Sequence, residues 1–394
     1  MKSSLENWAY FGGEKVFATF RTTMNLVVPD EKRFYEHIRK SFDETQFSNN
    51  GPCLKQLEKN LADFHEVEHC IAFCNCFTGM YLALRALGLP GKTEVIMPSL
   101  TYRRMSDIVR WAGYVPRFCE VEETTLAISP RTAECCITAN TALILAPHPI
   151  TNLCDIDGME ALSARSGIPL FFDSVEACGA SHKGRRIGGF GAGEAFSLHS
   201  SKVLNAAEGG YITTNDEELA KTLTRARAFG FSGVDEISCL GTNAKLNEMH
   251  AALALSCLEN HEAQMEENKR QHLAYQENFK DVPGVAIVGY DRTERRNWKS
   301  LLLRLEDSWP LTREETLALL NAENIAARPY YSPPQHQKCP VQAGERALPV
   351  TEKLAGTHMI LPFGSTMSIN DTYVISRIFK DMYEQSAELK ARLR

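Results

Sequence analysis

The chain has 394 residues, 44% of them hydrophobic and 23% charged, with a formal net charge of −6. That balance excludes disorder, a fibrous architecture and a protein whose main task is gripping nucleic acid, which needs clustered Lys and Arg. No signal peptide opens at Met1 and no apolar run approaches about 18 residues, so a cytoplasmic location is expected, with the 12 cysteines reduced rather than paired.

Residues 1–50 read as a polar lead-in arm, with an amphipathic stretch from Glu31 to Phe42 that ends before the turn-like Ser48-Asn49-Asn50-Gly51-Pro52. From Cys53 the pattern alternates: a helix over Leu54 to Phe64, a strand Cys70 to Phe73, a helix from Thr78 to Leu87, a strand Glu94 to Met97, a helix Ser106 to Ala112 and a strand Pro116 to Cys119. The apolar run Ala142 to Ala146, a helix around Met159 to Ser166, and strands Pro169 to Phe172, Ala195 to Leu198 and Gly210 to Thr214 complete the series. Repeated β/α units predict an α/β domain over residues 51–250, its mainly parallel central sheet covered by helices on both faces. A long helix from about Asn247 to Phe279 suits a domain junction, and residues 251–394 are expected to form that linking helix and a small α+β C-terminal domain. Strands there are read at Gly284 to Val288 and Trp298 to Leu305, and helices at Thr312 to Ala322 and Asp371 to Glu388.

In such a sheet, ligands gather beyond the carboxyl ends of the strands, so polar residues that end apolar strands matter most. Asp173 follows Leu170-Phe171-Phe172. A carboxylate there is costly to bury without a cationic partner, or else caps the next helix. Lys202 comes just after another apolar strand, in Phe196-Ser197-Leu198-His199-Ser200-Ser201-Lys202, with Glu208-Gly209-Gly210 downstream. A strand-ending acid, a strand-ending serine and a lysine in one sheet match what pyridoxal phosphate requires: an amine, an acid for its ring nitrogen and donors for its phosphate. No metal is expected, because Cys74 and Cys76, and the adjacent Cys135 and Cys136, lack zinc-ligand spacing.

The segment FFDSVEACGASHKGRRIGGFGAGEAFSLHSSKVLNAAEGGYITTND resembles the heart of the DegT/DnrJ/EryC1/StrS aminotransferase family. Further stretches carry the likeness along nearly the whole chain: SNNGPCLKQLEKNLADFHEVEHCIAFCN, GKTEVIMPSLTY, GYVPRFCEVEETTLAISP, GTNAKLNEMHAALALSCLE, RPYYSPPQHQ and ILPFGSTMS. The resemblance implies a fold-type I, aspartate aminotransferase-like architecture with pyridoxal phosphate as cofactor. It makes Lys202 the Schiff-base lysine, Asp173 the partner of the pyridine nitrogen, Ser197 a phosphate ligand and Tyr102 the aromatic that stacks on the ring.

The family usually has a small residue and threonine where this chain has Cys76-Phe77; backbone donors at the helix start can still hold a phosphate, with Thr78 a partial substitute for the missing hydroxyl. Glu176 replaces a Gln or His that touches the cofactor's phenolic oxygen, and like charge there predicts that Glu176 is either protonated or turned aside. By resemblance Asn243 reaches the phosphate of a neighbouring subunit, implying a homodimer with active sites at the interface, and Lys245 stands where the family commonly has Arg. Arg103 and Arg104 either clamp an anionic group of the substrate or form a solvated helix start. His336 either lies near the substrate or is a plain loop histidine.

The implied activity is transfer of an amino group from glutamate or glutamine to a keto group of a sugar, nucleotide-linked, or of a cyclitol, with no nucleic acid or membrane partner. Alternatives are an anionic non-sugar substrate, a non-catalytic regulatory protein on the same fold, sugar dehydration by a sister branch with histidine at the lysine position, and a cysteine nucleophile such as Cys178.

Overall fold

The computed structural model describes residues 2–338 and 347–393. After two short 3-10 turns, helices α1 (Glu31–Asp43) and α2 (Pro52–His65) lead into an alternating series. It runs β1 (His69–Phe73), α3 (Cys76–Leu87), β2 (Glu94–Pro98), α4 (Met105–Trp111), β3 (Val115–Cys119), α5 (Pro130–Glu134), β4 (Thr141–Pro147), α6 (Ile156–Ser166) and β5 (Leu170–Asp173). A small hairpin, β6 (Ser181–His182) and β7 (Arg185–Arg186), precedes β8 (Gly193–Ser197), β9 (Gly210–Thr214) and α7 (Glu217–Ala226).

Every residue of β4 and β5 is buried, as unbroken apolar runs require when helices cover both faces of a sheet. The strand order is β1-β9-β8-β5-β4-β2-β3. Strands β3, β2, β4, β5 and β8 pair in parallel, while β9 is antiparallel to both β8 and β1. The carboxyl ends of β1, β2, β5 and β8 therefore open at one edge. There Gly210 pairs with Ser197 and Phe73. A Cβ on Gly210 would stand 2.3 Å from the Cys76 backbone nitrogen, so glycine is what lets α3 begin hard against the sheet.

Beyond α7 come an exposed hairpin, β10 (Phe231–Gly233) and β11 (Glu236–Ile237), and the long helix α8 (Glu248–Phe279). The first turns of α8 bury Ala251, Ala252, Ala254 and Leu255 in the core of the large sheet, whereas Tyr275 and Phe279 enter a second core. That core lies on a four-stranded antiparallel sheet of β12 (Val285–Ile287), β13 (Leu301–Leu305), β14 (Arg328–Pro329) and β15 (His358–Leu361), in the order β12-β13-β15-β14. Helices α9 (Arg313–Ala322), α10 (Gln335–Lys338), α11 (Pro349–Thr357), α12 (Ile369–Glu384) and α13 (Ser386–Leu393) surround it. Trp8 and Phe17 pack into the same core, so the beginning of the lead-in arm is anchored on the C-terminal part of the molecule.

Two elements differ from expectation. The strand expected from Trp298 starts only at Leu301, because Trp298 adopts a left-handed backbone (φ 53°) that breaks the extended run. The terminal helix expected over Asp371 to Glu388 is two helices separated at Gln385. No helix among the described residues is long and apolar enough to cross a membrane.

Candidate active site

The sheet edge described above forms the floor of a cavity of about 440 Å³, within the range usual for small-molecule sites. Seven of the residues singled out in the sequence line it together: Lys202, Asp173, Glu176, Ser197, Tyr102, Cys76 and Phe77. Asp173 is the last residue of β5 and is 7% exposed. Burial pushes its carboxyl up to about 7, opposed only in part by the Val175 N–H that it accepts at 3.2 Å. Among the described residues no Lys or Arg forms an ion pair with it. A buried acid without a cation is what a site built for a protonated ring nitrogen provides.

Lys202 sits on the turn that follows β8. Its backbone N–H donates to the His199 carbonyl (2.9 Å), and the His199 N–H donates to Ser197 Oγ (3.2 Å), which ties the lysine to the strand end. The amine is buried, yet the adjoining Glu176 outweighs the cost of burial and raises its pKa. Lys202 Nζ donates to Glu176 Oε1 at 2.7 Å, and Lys299 Nζ donates to Glu176 Oε2.

The expectation of a protonated or displaced Glu176 beside the cofactor's phenolic oxygen does not include these two lysines. Burial alone would raise its carboxyl, but the ammonium groups of Lys202 and Lys299 hold it down at about 2. Lys299 went unread because it falls in a charged stretch, Glu294-Arg295-Arg296-Asn297-Trp298-Lys299, that looks like solvated surface.

At the start of α3, Asn75 caps the helix by accepting the Thr78 N–H at 2.8 Å. The N–H groups of Cys76 and Phe77 remain available at the cavity wall, at the positive end of a 12-residue helix. Thr78 does not line the cavity, so its hydroxyl does not replace the one missing at Phe77. Together with Ser197 and Ser201, which also line the cavity, these groups form a donor set suited to a phosphate.

Tyr102 is half exposed at the cavity mouth. Its backbone carbonyl accepts from Gln335 Nε2 (3.0 Å), and Gln335 Oε1 takes the Ser106 hydroxyl (2.7 Å). Tyr330 and Tyr331, from the C-terminal part, complete the wall; Tyr331 is held in the left-handed region (φ 47°), an uncommon conformation for a bulky residue. His148 also lines the cavity, stacked on Phe172 with ring centroids 5.3 Å apart, and burial keeps it neutral with a pKa near 3.

Four singled-out residues lie elsewhere. Arg103 is exposed and donates to the Pro329 carbonyl (3.3 Å), and Arg104, at the N-cap of α4, pairs with Asp107 (3.2 Å). Neither is among the residues that line the cavity. His336 stands behind the wall, with Nδ1 at 2.6 Å from Ser99 Oγ and Nε2 at 3.2 Å from Glu352, so it braces the loop that carries Tyr102 instead of meeting a ligand. Asn243 is exposed, outside the cavity of its own chain, and accepts from Lys245 Nζ (2.8 Å).

Burial pushes the Cys178 thiol up to about 11, away from the thiolate a nucleophile needs, and it shares a hydrogen bond with Tyr211. Among the described residues no group of three or more His, Cys, Asp or Glu could hold a metal.

The sequence profile of the DegT/DnrJ/EryC1/StrS aminotransferase family matches residues 29–379. The chain is 29% identical to the dTDP-4-amino-4,6-dideoxy-D-glucose transaminase of Shigella dysenteriae, over 80% of this chain and 84% of that one. It is 30% identical to the L-glutamine:2-deoxy-scyllo-inosose aminotransferase of Micromonospora echinospora, over 84% and 86%. The crystal structure of DesI in the presence of its TDP-sugar product superimposes with a TM-score of 0.93 at 31% identity, covering 99% of this chain and all of the other.

Proposed function

Because the chain belongs to the DegT/DnrJ/EryC1/StrS aminotransferase family, we propose that it is a pyridoxal-phosphate enzyme that moves an amino group from glutamate or glutamine to the keto group of a nucleotide-linked sugar or a cyclitol. The observation that carries this reading is the pairing, in one cavity, of a buried amine, Lys202, with a buried carboxyl, Asp173, that lacks a cation of its own. Pyridoxal phosphate, when bound, supplies an aldehyde carbon that condenses with amines and a ring that takes up the electrons of a broken C–H bond.

The chain's own groups divide the remaining work. Lys202 is the amine that holds the cofactor and, as a free base, takes the proton from the α-carbon of the amino donor. Asp173 keeps the ring nitrogen protonated, and its raised pKa falls when that positive charge arrives. Ser197 and the N–H groups of Cys76 and Phe77 would hold the phosphate, and Tyr102, at the cavity mouth, would offer its ring to the pyridine.

The mouth of the cavity opens to the outside at Tyr102, where a large acceptor can enter. A sugar or cyclitol is the acceptor class that the similar proteins are named for, and Arg103 and Arg104 make their contacts with Pro329 and Asp107 and not in the cavity lining.

The working unit is proposed to be a homodimer. Around the β10–β11 hairpin and the start of α8, Phe229, Phe231, Val234, Ile237, Leu240 and Met249 are all exposed, Val234 at 93% and Leu240 at 72%. An apolar patch of that kind calls for a partner, and Asn243 lies beside it, which suits a reach from one subunit to the phosphate of its partner. The cytoplasm is the proposed location.

The test is a product assay: purified protein, pyridoxal phosphate and glutamate or glutamine are incubated with a panel of nucleotide-linked ketosugars and keto-cyclitols, and products are read by mass spectrometry. An aminated sugar or cyclitol formed with consumption of the amino donor supports the reading. No amination of any acceptor, with cofactor absorbance unchanged by either donor, contradicts it.

A further inference from the structure

Both oxygens of Glu176 are taken by lysines, and the second lysine comes from a different part of the chain. Lys202 Nζ lies 2.7 Å from Oε1, while Lys299 Nζ pairs with Oε2; side-chain exposure is 16% for Lys202, 15% for Glu176 and 9% for Lys299. Lys299 does not line the cavity; its ion pair is with Glu176, and its ammonium also faces that of Lys202.

Its placement is built. Trp298 holds a left-handed backbone, with its ring packed on His272 and Tyr290, and this turns Lys299 out of the extended path. Asn297 Nδ2 donates to the backbone carbonyls of Glu176 (2.9 Å) and Cys178 (3.0 Å), and Asn268 of α8 donates to the Asn297 carbonyl (3.1 Å). Residues 297–299 thus grip the backbone and the side chain of Glu176 together.

An amine beside an unshared buried carboxylate is held as an ammonium ion, which is neither a nucleophile nor a base. We infer that Lys299 is a positioning residue that takes one oxygen of Glu176, weakens that carboxylate's hold on Lys202 and so enlarges the share of the Lys202 amine that is free to attack a carbonyl carbon. The inference rests on the proposed function in taking Lys202 as the reacting amine.

The charged and titratable groups around the three residues are few. Lys202 faces Glu176, Asp173 and Cys76; Glu176 faces the two lysines, with Tyr290, Tyr330 and Tyr331 nearby; Lys299 faces Glu176 and Lys202. Burial and the neighbouring ammonium bring Lys299 down to about 8 against the pull of Glu176, as expected of a cation that shares its counterion.

The test reads Lys202 directly. Full-length protein freed of cofactor receives a brief pulse of formaldehyde and cyanoborohydride across a pH series, and methylation of Lys202 is quantified by peptide mass spectrometry. In Lys299→Met the pH of half-maximal labelling rises by about one unit, a roughly tenfold loss of labelling at about pH 7.5, while Lys299→Arg, which keeps the cation, stays near the parent value. Lys299→Gln, which keeps a polar side chain without the charge, gives the same rise and decides the matter if Lys299→Met does not fold, while Glu176→Gln moves the value downward. An unchanged value in Lys299→Met, an equal rise in Lys299→Arg, or no fall in Glu176→Gln overturns the inference. The cofactor reading fails separately: if Lys202 labelling shifts as stated but the protein takes up no pyridoxal phosphate, only the proposed function is lost.

Discussion

The floor of the cavity and its outer wall are made by different means. The floor is the carboxyl edge of a parallel sheet, where Asp173 and Ser197 end neighbouring strands and Lys202 follows one turn later. The wall takes Tyr330 and Tyr331 from the C-terminal part, Tyr331 with a left-handed backbone, and behind it Lys299 follows the left-handed Trp298 in an irregular stretch. The contrast is sharpest between two carboxylates three residues apart. Burial raises Asp173, which has no ion pair among the described residues, to about 7; Glu176 is held near 2 by Lys202 from the floor and Lys299 from behind the wall. The strand ends bring Asp173 and Ser197 together, and a residue from the C-terminal part, Lys299, adds to the charge around Glu176.

Substitutions separate the two contributions. Lys202→Ala, on the floor, is expected to cost roughly 10⁴-fold or more in turnover, since the nucleophile and the base are lost together, and a steady-state assay checks it. Asp173→Asn should cost roughly 10²- to 10³-fold in turnover, as one preorganised charge is removed.

The same two carboxylates act in opposite senses on stability. Asp173 is raised above its ordinary value of 3.8, so what it contributes is present below about pH 4 and lost as pH rises through 7. Cofactor-free Asp173→Asn should therefore melt on the order of 5 °C higher than the parent at neutral pH while being far less active. Glu176 is lowered from 4.5, so its contribution is complete above about pH 4.5 and lost as pH falls toward 2; Glu176→Gln should flatten the acid limb of a melting-temperature profile.

Smaller effects belong to the wall's supports. His336→Ala is expected to lower stability by about 1 kcal/mol through its lost bonds to Ser99 and Glu352, with turnover within several-fold of the parent. Arg103→Ala and Arg104→Ala should stay within about 0.5 kcal/mol in denaturant unfolding.

The floor was legible in the sequence because its chemistry is local. Apolar runs such as Leu170-Phe171-Phe172 mark buried strands, and the residue that ends each run faces the ligand edge. The wall was not, because burial of Lys299 depends on a turn at Trp298 and on contacts with Glu176, 123 residues away. The stretch before it is charged and reads as surface, and the strand assigned from Trp298 would have put Lys299 in a regular pleat. Arg103 and Arg104 misled in the opposite direction: adjacency to Tyr102 suggested the cavity, but the start of α4 turns both outward. His336 lies in the motif that braces the site, held by Ser99 and Glu352, and Asn243 is not among the residues that line the cavity of its own chain.

The central claim, that Lys202 is the amine which holds the cofactor, is tested most directly by reducing the pyridoxal-phosphate-loaded protein with borohydride and mapping the label by peptide mass spectrometry. A pyridoxyl group on Lys202, absent from Lys202→Ala, is the result expected. A label on another lysine, or a protein that takes up no cofactor, would contradict it.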